Sequence, residues 1–288
     1  MGLSVQLISG LAMGCIYGLV AIGFSMIYRA MSLVNFAQAD IVMLGAFMGF
    51  TLLSAFPFLP FWVVLVLSMI GTGAVGFALE KIIFQRAVER KAGLVYLVLL
   101  TLGIGIVLSN GARLIWGANP VVYPIPLTHQ MLMIAGYPLP LVHVYIIVTM
   151  AILLIGLQLM FTRTWVGVAL RAAADDPETA RTMGINTKMT SALSFAIASG
   201  IAAAAGVLFA PIAFVSFDMG VIGIKAFAAA VVGTLGSIPG ALVGGLLIGV
   251  GESVGAQLLS PEFQDSIALG MMIVILLFRP TGLFAQAR

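Results

Sequence analysis

A chain of 288 residues that is 62% hydrophobic and only 8% charged is far too poor in charge for a soluble domain, in which about a quarter of residues are charged. Its net charge of +3 comes from basic residues in short stretches between apolar blocks, which excludes a nucleic-acid footprint and leaves the charges to report membrane topology. Cys15 is the only cysteine, so neither an internal disulfide nor a cysteine metal cluster is possible, and the pair His129 and His143 is too sparse to argue for a metal; no cofactor is expected.

The apolar blocks suit helical spans of about 20 residues rather than the alternating strands of about ten found in outer-membrane barrels. The fold expected is therefore all-α, a polytopic membrane helix bundle of about eight or nine segments forming a single transmembrane domain over 1–288. Leu3 to Tyr28 is uncharged and ends at Arg29, which makes it a first span with its C-terminal end inside and the N-terminus outside. Nothing basic precedes it and no polar region follows, so it is expected to stay in the product rather than be cleaved as a signal peptide.

Asn35, Gln38 and Asp40 stand directly before the apolar run Ile41 to Ala55. Polar groups there either cap a helix at the interface or line a translocation path. Phe56 to Pro60 breaks the run, and Trp62 is placed to anchor the next span, which runs to Leu79. Gly71-Thr-Gly-Ala-Val-Gly76 matches a dinucleotide fingerprint by letter. No strand precedes it, and small residues in membrane helices mark close packing, so it is read as a packing motif. Glu80 to Lys91 carries four basic residues and is expected to be a cytoplasmic loop; Ala92 to Ala112 returns outward, with Gly103 and Gly105 as packing positions. Leu114 to Pro140 is an uncharged, Pro-rich outer segment, suited to a lid or docking face or simply a loop.

Leu141 to Thr162 runs inward to a cytoplasmic loop, 163–190. Within it, Asp176 occupies an N-cap position, Pro177 the first helical position and Glu178 the first turn, while Gly184 fits a left-handed helix end. That describes a helix of about two turns, too short to persist alone in water. It is either a docking piece held by a partner or a solvated loop with a convenient turn. Met189 to Phe217 runs outward and is rich in Ala and Gly. Ala226 to Gly251 contains Gly236-Ser-Ile-Pro-Gly240, and two half-length helices meeting at a turn beside the path are expected there, with Gly236 and Ser237 at the turn. Glu252 follows between glycines; it either faces the bundle interior or a cavity, or caps a backbone break. Ser266 to Phe278 is too short for the bilayer core, so its helix must begin earlier or start in a cavity. On this topology Arg29, the four basic residues of the first loop, the four of the second, Arg279 and Arg288 lie inside, eleven of thirteen, with Arg113 and Lys225 outside.

Four stretches carry a resemblance: Ser32-Leu-Val-Asn-Phe-Ala-Gln38, the loop Arg171 to Asn186, Val232-Gly-Thr-Leu-Gly-Ser-Ile-Pro-Gly-Ala-Leu-Val-Gly-Gly245, and Phe278-Arg-Pro-Thr-Gly-Leu-Phe284. In this order they resemble the LivH-type permease subunit of bacterial ABC importers for branched-chain amino acids. The resemblance implies an inner-membrane subunit with a cytoplasmic C-terminus. Its implied partners are a second permease subunit, two cytoplasmic ATPase subunits and a periplasmic substrate-binding protein. It also implies that Asp175, Asp176, Pro177, Glu178, Ala180, Arg181 and Gly184 form a coupling helix seated in the ATPase, which favours docking over the solvated loop. One departure stands out: Thr234 replaces a glycine usual in the family. Related permeases for urea or short amides share much of the pattern. Two other classes are a stand-alone ion-coupled carrier using Asp40 or Glu252, and a membrane enzyme using Asp175 and Asp176. The enzyme is disfavoured because no third carboxylate stands at a metal-clamping spacing. No phosphate-cradling Gly-x4-Gly-Lys-Ser/Thr occurs, so any ATP hydrolysis belongs to other subunits.

Overall fold

The computed structural model describes residues 3–124, 131–134, 137–258 and 260–284. Among these residues twelve α-helices run in the order α1 (Leu3–Met31), α2 (Gln38–Ala55), α3 (Phe61–Leu79), α4 (Gln85–Glu89), α5 (Leu94–Trp116), α6 (Leu141–Arg163), α7 (Trp165–Asp175), α8 (Pro177–Thr182), α9 (Thr187–Phe209), α10 (Gly220–Gly233), α11 (Ile238–Leu258) and α12 (Gln264–Phe278). Among the described residues seven helical stretches are long and apolar enough to cross a membrane, and α10 and α12 are shorter apolar helices. The chain is a multi-pass membrane protein.

Close approach at small residues builds the core. On α1, Gly10, Gly14 and Gly18 recur every fourth position, and on α11 so do Gly245, Gly249 and Ser253. A Cβ at Gly245 or Gly249 would run into the α1 backbone at Gly18 or Gly14. Without water to drive apolar association, such contact is what holds membrane helices together. The Gly71 to Gly76 motif works in the same way: Gly73 faces the Ala196 carbonyl, and Gly76 faces Ser199 and the Phe195 carbonyl on α9. Gly105 packs against Asp40 of α2 and Ala37 just before it, whereas a Cβ at Gly103 meets nothing within 4 Å among the described residues. Accordingly α1 and α9 are 72% and 78% buried along their membrane windows, against 22% for α5 and α6. The first pair is central and the second peripheral.

Several boundaries differ from those expected. Glu80 to Glu89 is helical rather than a loop: α3 continues through a π-helical turn, Glu80–Phe84, into α4, because no proline or glycine interrupts it. The Pro-rich segment contributes a short antiparallel strand pair, Met131–Ile134 with Tyr137–Pro140, the one such pair among the described residues. His129 lies outside the described residues. The expected break between residues 226 and 251 exists, but its halves are unequal. α10 has 14 residues, about 21 Å, while α11 has 21 and is of full membrane length, because Pro239 falls in its first turn, where the missing N–H costs nothing.

The helix ends sort into two faces. Arg29, Arg171 and the first turn of α11 at Ile238 line one small pocket, and Lys188 meets Glu89 there, which defines a basic end. At the opposite end Val121 pairs with Val215. Two helices begin inside the bundle rather than at either end. Gln38, at the start of α2, donates to the Ala198 carbonyl, about 16 Å along α9 from its start. The beginning of α10 meets it there, with Gly223 against Ala39 and Phe227 between Phe24 and Phe36.

Candidate functional site

At the basic end, α7, α8 and α9 form a chain of capped pieces. Thr164 caps α7, its hydroxyl accepting from the Gly167 amide. Asp176 Oδ1 accepts from the Glu178 and Thr179 amides at 3.0 and 3.1 Å, its Oδ2 accepts from the Thr179 hydroxyl, and Pro177 takes the first helical position. These bonds, the Thr179 hydroxyl foremost, hold the Asp176 carboxyl below the usual carboxylate range, so the cap is complete at neutral pH and is lost only on acidification through that lowered pKa. At the other end the Ile185 amide bonds the Ala180 carbonyl and the Gly184 amide the Arg181 carbonyl, with Gly184 at φ +83°. This is a full Schellman closure.

Side chains then fasten the piece to the bundle. Arg181 Nε donates to Thr187 Oγ1 of α9 at 2.7 Å, Asn186 caps α9, and Arg29 of α1 pairs with Asp175 at 2.8 Å. Asp175 is thus the last residue of α7 rather than part of α8. Ala180 is buried beneath α8, while Met183 is 78% exposed, so α8 offers an apolar tip ringed by Glu178 and Arg181. Helix α7 was not expected from the sequence. Its buried Gly167, Leu170 and Ala173 fall three apart, a spacing that could have disclosed an amphipathic helix.

The deeper candidates are spread over different environments. Asn35, 1% exposed, accepts from the Ala37 amide and shapes the turn into α2. Gln38 is fully buried against α9. Asp40 accepts from Ser109 of α5 at 2.6 Å. Gly236 and Ser237 form the basic-end turn between α10 and α11, where Ser237 accepts from the Gly240 amide. Among these six, Glu252 alone belongs to the lining of a cavity of about 310 Å³ bounded by Met13 and Tyr17 of α1, residues 209–225, and Gln264 at the start of α12. The short α12 therefore does begin at a cavity.

Lys225 joins Glu252 in that lining. Its Nζ lies 2.5 Å from Glu252 Oε1 and 2.7 Å from Asp265 Oδ1, and 5.8 Å from the centre of the Tyr17 ring. Lys225 is therefore not an outer-loop charge but a partner inside the bundle, and Glu252 is ion-paired rather than capping a backbone break. The missed signal was the isolation of one Lys and one Glu in the same Gly/Ala-rich segment, since charges inside a membrane bundle pair with each other. Arg113, the other exception to the basic end, lies 3.8 Å over the Phe217 ring. No group of three or more metal-ligating side chains occurs among the described residues.

A family model described as branched-chain amino acid transport system / permease component matches residues 6–276. The chain belongs to this permease family. Among its curated relatives, the high-affinity branched-chain amino acid transport system permease protein BraD of Pseudomonas aeruginosa is 33% identical over 98% of this permease and 95% of the relative. LivH of Escherichia coli K12, with the same descriptive name, is 30% identical over the same shares of the two chains. A probable branched-chain amino acid transport permease protein LivH from Methanocaldococcus jannaschii is 30% identical over 92% of this permease and 87% of the relative. No solved structure matches.

Proposed function

We propose that this permease is the transmembrane subunit of an ATP-driven importer that carries branched-chain amino acids across the inner membrane. The observation that carries this is the family match along nearly the whole chain, to relatives whose names specify that transport. Seven long apolar helices among the described residues support a multi-pass bundle, and in this reading the short α10 and α12 join it as further membrane segments. The clustering of Arg and Lys at the basic end supports placing it in the cytoplasm, with the N-terminus outside and the C-terminus inside.

In this scheme a second permease subunit completes the pathway, a periplasmic binding protein delivers substrate, and two ATPase subunits dock at 163–190. Asp176, Pro177, Glu178, Ala180, Arg181 and Gly184 build the docking helix, and Asp175 ties it to α1. Nucleotide binding closes the ATPase dimer and carries α8 with it. Because α8 is fastened to α9 and α1 by Arg181 to Thr187 and Arg29 to Asp175, a displacement there reaches the two central helices as a rigid-body movement. The nucleotide shifts the balance between outward and inward openings by binding them unequally.

The test is to tag the C-terminus, extract the protein from its native membrane in mild detergent, and identify what comes with it. An ATPase and a second hydrophobic subunit are expected. Uptake of leucine should then be competed by isoleucine and valine and not by urea. Recovery of this chain alone, under conditions that keep a control importer intact, would replace this function with that of a stand-alone carrier.

A further inference from the structure

We infer that the cavity between α1, α10, α11 and α12 receives the zwitterionic head of the transported amino acid, its α-carboxylate on Lys225 and its α-ammonium on Glu252. This rests on the amino-acid substrate proposed above and specifies where that substrate is held. The cavity has two chemically different sides. Met13, Phe209, Phe214, Val221 and Ile222 supply an apolar wall, and Lys225, Glu252 and Asp218 the polar one. Its volume of about 310 Å³ sits at the small end of the range for small-molecule sites, roughly 300 to 1,000 Å³. That suits a metabolite with one short aliphatic arm.

The charges do not balance within the site. One ammonium, Lys225, faces Glu252 and Asp265 directly, and Asp218 stands at the exposed rim. Glu252 is only 4% exposed, and its Oε2 has no hydrogen-bond partner among the described residues. A buried carboxylate oxygen without a donor is costly, and a cationic N–H is the donor that satisfies it best. An ammonium alone would leave the ligand's carboxylate unpaired, but Lys225 is there to take it, and Asp265, 66% exposed at its side chain, can turn to water when it yields. The start of α10, whose N-cap Met219 has no side-chain cap, lies in the same lining and adds its partial positive charge on the carboxylate side. A zwitterion therefore replaces the Lys225–Glu252 contact with two contacts of the same kind. Urea or a short amide has no charge to offer either partner, so this chemistry selects amino acids.

The test uses the intact importer in proteoliposomes, photolabelled with a diazirine analogue of leucine, followed by mapping of adducts in every subunit. Adducts are expected within 13–17 or 209–222 of this chain, suppressed by excess leucine. Adducts confined to other regions, with leucine uptake intact, would overturn the site and leave the transport function standing. An importer that takes up urea and not leucine would instead refute the substrate class. Competition then separates recognition from mere support. Glu252→Gln should bring leucine and 4-methylpentanoate, which lacks the ammonium, to within about twofold of each other. Lys225→Gln should do the same for leucine and leucinamide, where the unaltered importer prefers leucine by about tenfold or more. Equal weakening of all three ligands would mean that the pair is only structural. If a variant fails to assemble, the adduct map of the unaltered importer decides.

Discussion

The chain reverses direction at two glycine-bearing turns that look alike in sequence and differ in what closes them. Around Gly184 the bonds that close the helix ends all come from within a dozen residues: the Asp176 cap, the Schellman bonds at Gly184 and Ile185, and the Asn186 cap. Between α10 and α11, Thr234 and Gly236 both sit at φ +88°, and to the local bond from the Ser237 amide to the Thr234 carbonyl is added a second closure from almost fifty residues away. There the Leu283 amide bonds the Val232 carbonyl, Thr234 Oγ1 donates to the Thr281 carbonyl, and the Phe284 amide donates to Thr234 Oγ1. A turn in water can leave backbone groups to solvent, so local rules suffice. The second turn is also tied to a distant part of the chain, and the closing Arg279 to Phe284 motif supplies those added partners.

The largest effect should appear where α10 and α11 are joined above their turn. Lys225→Met leaves Glu252 buried and unpaired, at a cost of about 3 to 5 kcal/mol, read as a large drop in thermal midpoint in detergent. Replacing Lys225 and Glu252 together by Met should recover most of that stability and none of the leucine uptake. Full recovery of uptake in the double variant would mean that the pair serves only to hold the helices.

The turn at Gly184 should respond differently. No heavy atom lies within 4 Å of a Cβ built there, so Gly184→Val meets no clash and its cost is backbone strain alone, about 1 to 3 kcal/mol confined to the Schellman turn. Membrane level and assembly of the bundle should be unchanged while uptake falls by about tenfold or more. Retained uptake would remove the coupling role from α8.

The same contrast explains what the sequence disclosed. The caps of α8 were legible because Asp176, Pro177 and Gly184 act on their own neighbours, and the spans were legible from hydropathy. The packing role of Gly73 and Gly76 followed from residue size alone. The pairing of Lys225 with Glu252 was not legible, because it depends on where a helix broken at residue 234 folds back. The strand pair formed by 131–134 and 137–140 was hidden by its prolines, Pro138 and Pro140, which argue against a strand unless it is short and at an edge. Asn35, Gln38 and Asp40 looked alike as polar residues before a span, yet each meets a different helix or turn, and only the folded bundle distinguishes them.

Thr234 makes the distant closure measurable. A β-branched residue at positive φ is strained by about 1 to 3 kcal/mol, and its two hydroxyl bonds to 281 and 284 return about 0.5 to 1.5 kcal/mol each. Thr234→Gly removes both the strain and the bonds and should be nearly neutral. Thr234→Val keeps the strain and loses the bonds, so it should cost about 1 to 2 kcal/mol. A Thr234→Val variant as stable as the unaltered protein in a detergent melt would show that the C-terminal motif closes the turn through its backbone alone.

The smallest effect should come from Arg29→Ala, which tests whether the locally built piece needs its link to the core. The Arg29 and Asp175 side chains are 39% and 69% exposed, and solvent-exposed pairs contribute at most about 1 kcal/mol, so the melt should hardly change. Coupling is the more sensitive readout, because the pair connects the end of α1 to the residue before the Asp176 cap. Uptake per ATP hydrolysed should fall by about twofold. At about 1 M salt, where the Debye length shrinks to about 3 Å, the unaltered importer should approach the variant. If Arg29→Ala were instead as severe as Gly184→Val, movement would pass mainly through the ion pair to α1. A mild loss leaves the covalent route into α9, stiffened by Arg181 and Asn186, as the principal connection.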